Sequence, residues 1–237
     1  MGIAERIIVA LDVDSGDRAL YFVRELMPDA NYFKIGSQLF TACGPTFVRE
    51  VIQEGARVFL DLKFHDIPQT VAKAVVEAAR LEVDMINVHA SGGLAMLQAA
   101  RVALDGEIPK SRRPQLIAVT MLTSIGEVDA REIGFSLPLA NQSVRLAQLA
   151  QRAELDGVVA SPLEIGPIRQ ACGPGFLIVT PAIRPVRAEL HDHVRIATPS
   201  AALKAGADYV VIGRPILEAS RPLDAFRQIV RSVEQDA

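Results

Sequence analysis

Asp61 and Lys63 stand two residues apart in the run Arg57-Val58-Phe59-Leu60-Asp61-Leu62-Lys63, and Lys34 lies in the earlier run Tyr32-Phe33-Lys34-Ile35-Gly36. Side chains two apart on a strand share one side of it, so if the two runs are neighbours, three charges of alternating sign converge. A carboxylate or ammonium buried alone would shift its pKa and neutralise, whereas an interleaved Lys-Asp-Lys set keeps every member ionised where water is scarce. The competing reading is a structural ion-pair network, but buried pairs contribute little net stability, which favours chemistry. Fixed charge of this kind acts where charge develops during a reaction.

A second group suits an anion. Arg214 follows Gly213 and precedes Pro215, so backbone N–H groups, a helix start and a guanidinium can meet one phosphate, with Arg184 able to close on it. Asp12, Thr123, Ser124 and Ser161 are further polar residues at the ends of apolar runs. Asp66 precedes Ile67 and Pro68, where local sequence favours an N-cap with proline in the first turn. His65 and His89 are read as packing or hydrogen-bonding residues. There is no G-x-S-x-G elbow, H-E-x-x-H pair, P-loop or Cys/His cluster, and His191 and His193 lack further metal-ligating partners. The chemistry is therefore expected to need neither metal nor cofactor.

Eight short β-rich runs must position these residues: 7–12, 32–36, 57–63, 85–90, 115–122, 157–161, 176–181 and 209–214. Their continuous apolar character, without alternation, marks strands covered on both faces. Between them lie helical patterns, such as Pro68 to Leu81 with Val71, Ala74, Val75 and Ala78 on one face, Asn141 to Leu155, Pro199 to Ala205 before Gly206, and Pro215 to about Val233. Eight βα units in 237 residues predict a (β/α)8 TIM barrel, class α/β, as one domain over residues 1–237. Strand C-termini then face the active end. The stretch from Ala182 to about Ala197 is long enough to serve as a lid.

Composition narrows the partners. A net charge of −3, with no basic stretch beyond Lys110 to Arg113, argues against nucleic acid. No apolar run approaches a membrane span or a secretory signal, and two distant cysteines without metal spacing suit a reducing compartment. The expectation is a cytoplasmic protein with no membrane contact.

The string Asp61-Leu62-Lys63-Phe64-His65-Asp66-Ile67-Pro68-Gln69-Thr70-Val71 resembles the D-x-K-x-x-D-I-P signature of the orotidine 5′-phosphate decarboxylase family. Leu11-Asp12, Phe33 to Gly36, Val119 to Ser124, Thr180 to Pro185 and Val211 to Ile216 resemble that family in order and spacing, so the likeness spans nearly the whole chain. It implies a cofactor-free carboxy-lyase acting on orotidine 5′-monophosphate in UMP biosynthesis, with a charged tetrad of Lys34, Asp61, Lys63 and Asp66. It also implies a homodimer that shares Asp66, Ile67 and Thr70 across its interface, overriding the capping role for Asp66. Lys63 is then expected to protonate C6 and Asp61 to sit against the departing carboxylate. Asp12 and Thr70 would hold the ribose, Thr123 and Ser124 the pyrimidine, and Arg184, Gly213 and Arg214 the phosphate. The chain departs from the family at Gln69, usually asparagine, and at His193, usually a lid glutamine. The alternatives are a metal-dependent sugar-phosphate decarboxylase or aldolase-type synthase on the same barrel, or a barrel that merely binds a nucleotide monophosphate.

Overall fold

Apolar runs covered on both faces pair in parallel, and each connection must cross over through a helix. In the computed structural model, which describes residues 2–27, 29–183 and 197–236, this yields β1 (Ile7–Ala10), β2 (Tyr32–Gly36), β3 (Arg57–Phe64), β4 (Met85–His89), β5 (Gln115–Val119), β6 (Gly157–Val159), β7 (Leu177–Thr180) and β8 (Tyr209–Ile212). Around them run α1 (Gly16–Leu26), α2 (Ser37–Gln53), α3 (Pro68–Ala79), α4 (Gly93–Glu107), α5 (Glu127–Glu132), α6 (Leu139–Arg152), α7 (Ile165–Cys172), α8 (Pro199–Lys204), α9 (Arg214–Leu217) and α10 (Pro222–Asp236). Every strand pairs in parallel with its sequence neighbour, and β8 returns to β1 with Ile8 opposite Val211, closing the barrel in the order 1 to 8.

Alternation inside each strand divides the core in two. Ile7, Val9, Phe33, Ile35, Val58, Leu60, Ile86 and Val88 point outward and pack beneath the helices. Ile8, Tyr32, Phe59, Met85, Ile117, Val179 and Tyr209 fill the barrel itself, with Tyr32 and Tyr209 edge to face. At the N-terminal end of the strands a repeated device fixes register. Asp84, Asp156 and Asp208, each just before an even-numbered strand, accept from Val58, Leu116 and Ile178 N–H of the preceding strand at 2.9, 2.7 and 2.8 Å. Arg57, Arg101 and Arg169 pair with the same three carboxylates. That end is built for stability, which leaves the other for chemistry.

Several boundaries differ from those the sequence suggests. The strands β1, β5 and β8 end at Ala10, Val119 and Ile212, so Asp12, Thr123, Ser124 and Gly213 lie on the connections beyond them and Arg214 opens α9. Apolar residues continue past these ends because Leu11 and Met121 are still buried beneath the helices, and the backbone N–H groups of Leu11 and Thr120 still donate to Lys34 and Val159 of the adjacent strands at 3.0 and 3.1 Å. The final helix is two, α9 and α10, the second restarting at Pro222, which fits a first helical turn but not an interior. As expected, α8 begins at Pro199 and the chain leaves it through left-handed Gly206 (φ 108°); its N-cap is Thr198, whose hydroxyl accepts from Ala201 N–H at 3.2 Å. Ile183 and Ala197 form a parallel bridge. Arg184 and His193 lie outside the described residues. Both cysteines are free.

Candidate active site

The inward positions turn polar one layer above the apolar plug. Tyr32 is followed by Lys34, Phe59 by Asp61 and Met85 by Asn87, so β2, β3 and β4 each present one hydrogen-bonding side chain at that level. Lys34 Nζ lies 3.2 Å from Asp61 Oδ2 and 3.0 Å from Asp12 Oδ1. Lys63 Nζ lies 2.7 Å from Asp61 Oδ1. The Lys34, Asp61 and Lys63 side chains that the sequence predicts to converge are therefore in contact, and Asp12, not counted in that set, extends it to the order Asp12, Lys34, Asp61, Lys63.

Its route at Lys63 is not the one alternation suggests. Register between β3 and β4 shifts between Leu60 and Phe64, and Lys63 adopts φ 52°, a left-handed conformation that costs a side-chain-bearing residue about 1 to 3 kcal/mol. The ammonium still reaches Asp61 because the long side chain turns back from the bulge.

Burial alone would raise the Asp61 carboxyl, but Lys34, Lys63 and the hydrogen bonds from Lys63 and Asn87 outweigh it and hold it below the usual carboxylate range. Burial alone would lower the Lys34 ammonium, yet Asp61 and Asp12 hold it above the ordinary lysine range. Both groups are thus ionised at neutral pH. Sequence reasoning missed Asn87, which is fully buried, donates to Asp61 Oδ1 at 2.6 Å and accepts from Lys63 N–H at 2.8 Å. The available signal was its parity: it continues the inward row of β4 above Met85, level with Lys34 and Asp61.

A cavity of about 390 Å³ opens over this layer. Asp12, Lys34, Asp61 and Lys63 line one side; Thr123, Ser124, Gly213 and Arg214 line the rest, with Val119, Val159 and Val211 as an apolar floor. Gly213 sits close to β1: a Cβ there would lie 3.3 Å from Ala10 Cβ, a tight contact that the strand would have to yield to by a few tenths of an ångström. Asp66, Ile67 and Thr70 are exposed on the rim. Asp66 does not cap α3: Ile67 is the N-cap, and among the described residues the carboxylate accepts only from Ile67 N–H, at 2.6 Å. Ile67, 66% exposed, is among the most exposed large apolar residues described. Among the described residues, no cluster of three His, Cys, Asp or Glu side chains could hold a metal ion, and no helix is long and apolar enough to cross a membrane.

His89 is half-buried at the mouth end of β4, its ring centroid 5.4 Å from that of His65. Burial first, then His65 and Lys63, depress its pKa. A histidine that binds its proton less well when folded supports stability above its ordinary range and loses that support as pH falls through the folded value. His89→Gln should therefore flatten the loss of stability below about pH 6.5, checked by urea unfolding at pH 7 and pH 5. Equal losses in wild type and variant would contradict this.

A closed parallel barrel with ionised side chains converging at the C-terminal ends of its strands defines a (β/α)8-barrel enzyme. Residues 5–229 match the model of the Orotidine 5′-phosphate decarboxylase / HUMPS family. An orotidine 5′-phosphate decarboxylase of Geobacter sulfurreducens is 50% identical over 229 residues, covering 97% of this chain and 96% of the relative. One from Pelobacter propionicus is 51% identical, covering 97% and 95%. The crystal structure of orotidine 5′-phosphate decarboxylase from Lactobacillus acidophilus superposes with a TM-score of 0.86 at 37% identity, over 97% of this chain and 99% of that one. The chain belongs to this family and is a carboxy-lyase.

Proposed function

We propose that the chain converts orotidine 5′-monophosphate to uridine 5′-monophosphate, the last step of UMP biosynthesis, in the cytoplasm and as a homodimer. The observation that carries this reading is the unbroken run of contacts Asp12–Lys34–Asp61–Lys63 along one wall of the cavity. When the bond from C6 to the carboxylate breaks, CO2 leaves and the electron pair stays on C6. That pair lies in the ring plane and cannot spread into the carbonyls, so nearby positive charge must stabilise it. Lys63 then transfers a proton from Nζ to C6 and regains one from solvent. Asp61 faces the substrate carboxylate, so repulsion present in the bound substrate is relieved as CO2 departs. Thr123 and Ser124 read the pyrimidine, and Asp12 the ribose. Gly213 and Arg214, with Arg184, take the phosphate. His193 is proposed to substitute for the family's lid glutamine.

The rim supports the dimer. Exposed Asp66, Ile67 and Thr70 have little to do within one chain, and Ile67 offers an apolar contact to a second copy, whose charged set Asp66 would complete. Lys63→Ala and Asp66→Ala should each be nearly inactive alone. Random reassociation makes half the dimers mixed, each with one intact site, so the mixture should recover roughly a quarter of wild-type activity. No recovery after proven subunit exchange would show that Asp66 serves its own subunit.

The function is tested by following the ultraviolet absorbance of orotidine 5′-monophosphate with purified protein in EDTA. Chelator-resistant loss of substrate with equimolar uridine 5′-monophosphate is expected from wild type and not from Lys63→Ala. Absence of turnover, or turnover abolished by EDTA, would overturn the reading.

A further inference from the structure

Asn87 sits where the chain has least freedom to place a polar group. It is fully buried, on the inward row of β4, directly above the apolar plug of the barrel. Beside it the β3–β4 ladder is interrupted between Leu60 and Phe64, so Lys63, in its left-handed conformation, needs an acceptor from elsewhere for its backbone N–H. The Asn87 amide oxygen supplies it at 2.8 Å. A backbone N–H only donates, which fixes the orientation of the amide and leaves its NH2 to donate to Asp61 Oδ1 at 2.6 Å. The same Oδ1 receives Lys63 Nζ at 2.7 Å, and Lys34 approaches Oδ2. One neutral side chain thus ties the proton donor's backbone to that donor's own counterion. A carboxylate at this position would repel the Asp61 oxygen and have no proton to donate to it; an aliphatic residue would leave the Lys63 N–H unpaired.

We infer that Asn87 is a positioning residue of the reaction, acting through Asp61 and the backbone of Lys63 to hold the Lys63 ammonium at C6. The inference rests on the proposed decarboxylation and adds a residue to it. Because Asn87 is not among the cavity-lining residues, it should govern turnover and not substrate affinity.

Three proteins test it: wild type, Asn87→Ala and Asn87→Asp, with kcat for orotidine 5′-monophosphate, binding of uridine 5′-monophosphate by calorimetry, and thermal melting. Asn87→Ala should lower kcat on the order of 10- to 100-fold, the worth of a hydrogen bond to a charged group, with product affinity changed less than about threefold. Asn87→Asp keeps the shape but sets two carboxyl groups within hydrogen-bond reach, so that they share one proton at low pH. Singly protonated, the pair can still accept from Lys63 N–H and keep one O–H between the two carboxyls. The kcat of this variant should therefore rise toward wild type as pH is lowered and fall as the shared proton leaves. The charges facing the pair are Lys34 from β2, Lys63 on β3, Asp12 beyond β1, and His89 and His65 at the mouth. All are common to wild type and variant, so the difference between their pH profiles reports the new pair.

A kcat for Asn87→Ala within threefold of wild type, or a pH profile of Asn87→Asp that superposes on wild type, would overturn the inference. So would failure of both variants to fold, which would assign Asn87 to stability alone. Wild type without turnover would instead overturn the proposed function.

Discussion

Replacing Lys63 by alanine should lower kcat by on the order of 10⁵-fold while leaving the affinity for uridine 5′-monophosphate within a few-fold of wild type. General acid catalysis typically contributes about 10²- to 10⁴-fold, and one preorganised electrostatic contact about 10²- to 10³-fold. Lys63 is asked to supply both at one atom, and groups that act as a unit do not simply multiply. The fold should survive, because the side chain is 35% exposed and Asp61 keeps Lys34 and Asn87. Backbone strain provides an internal control. At φ 52° alanine is as strained as lysine, whereas glycine is not. Lys63→Gly should therefore be more stable than Lys63→Ala by about 1 kcal/mol and equally inactive, as read by urea unfolding and by the absorbance assay. Retention of more than about a hundredth of the activity in either variant would show that the proton comes from elsewhere.

Asp61→Asn should be the next largest loss, on the order of 10³-fold in kcat, with KM unchanged or lower. Asparagine preserves the shape and the contact with Asn87 but removes the only charge standing between two ammonium groups. The substrate carboxylate then meets attraction where it met repulsion, so ground-state binding improves as the driving force for CO2 release is lost. Removing one partner from a buried charge set is also destabilising by about 3 to 5 kcal/mol. The pH dependence follows from the depressed Asp61 carboxyl: its contribution to stability is present above the ordinary carboxylate range and disappears as pH falls through the lower folded value. The variant should lack that acid-side component. Steady-state kinetics and unfolding at neutral and acid pH measure both effects, and a rise in KM with kcat unchanged would mean that Asp61 merely binds substrate.

The barrel was legible because eight apolar runs without alternation, each trailed by a helical pattern, admit few other arrangements. What the sequence blurred was where ladders end. Leu11 and Met121 lie beyond the last residues of β1 and β5 yet are buried in the layer beneath the helices, and composition does not separate such residues from the strand itself. Lys34, Asp61 and Lys63 could be read from charge and spacing, since parity puts Lys34 and Asp61 on the inward rows. The left-handed turn at Lys63 had no local signature; it follows from register lost against β4. Asp66 illustrates the opposite limit. Its local sequence argued for a cap, yet among the described residues its carboxylate accepts a hydrogen bond from Ile67 N–H alone, and the reading of a second subunit came from the family likeness, not from local sequence. Asn87 was recoverable by counting two positions from Met85, but an isolated amide inside an apolar strand draws less notice than a charge at its end.

The most direct test of the central claim removes the carboxylate altogether. Uridine 5′-monophosphate incubated in deuterium oxide with the protein should exchange its C6 hydrogen for deuterium, followed by proton magnetic resonance, because the amine left when the Lys63 ammonium delivers its proton to the C6 anion is, in reverse, the base that takes the C6 proton, and it returns a deuteron after exchange with solvent. Exchange by wild type well above the protein-free rate, and none above it for Lys63→Ala, is the predicted result; equal exchange by the two proteins would contradict the account.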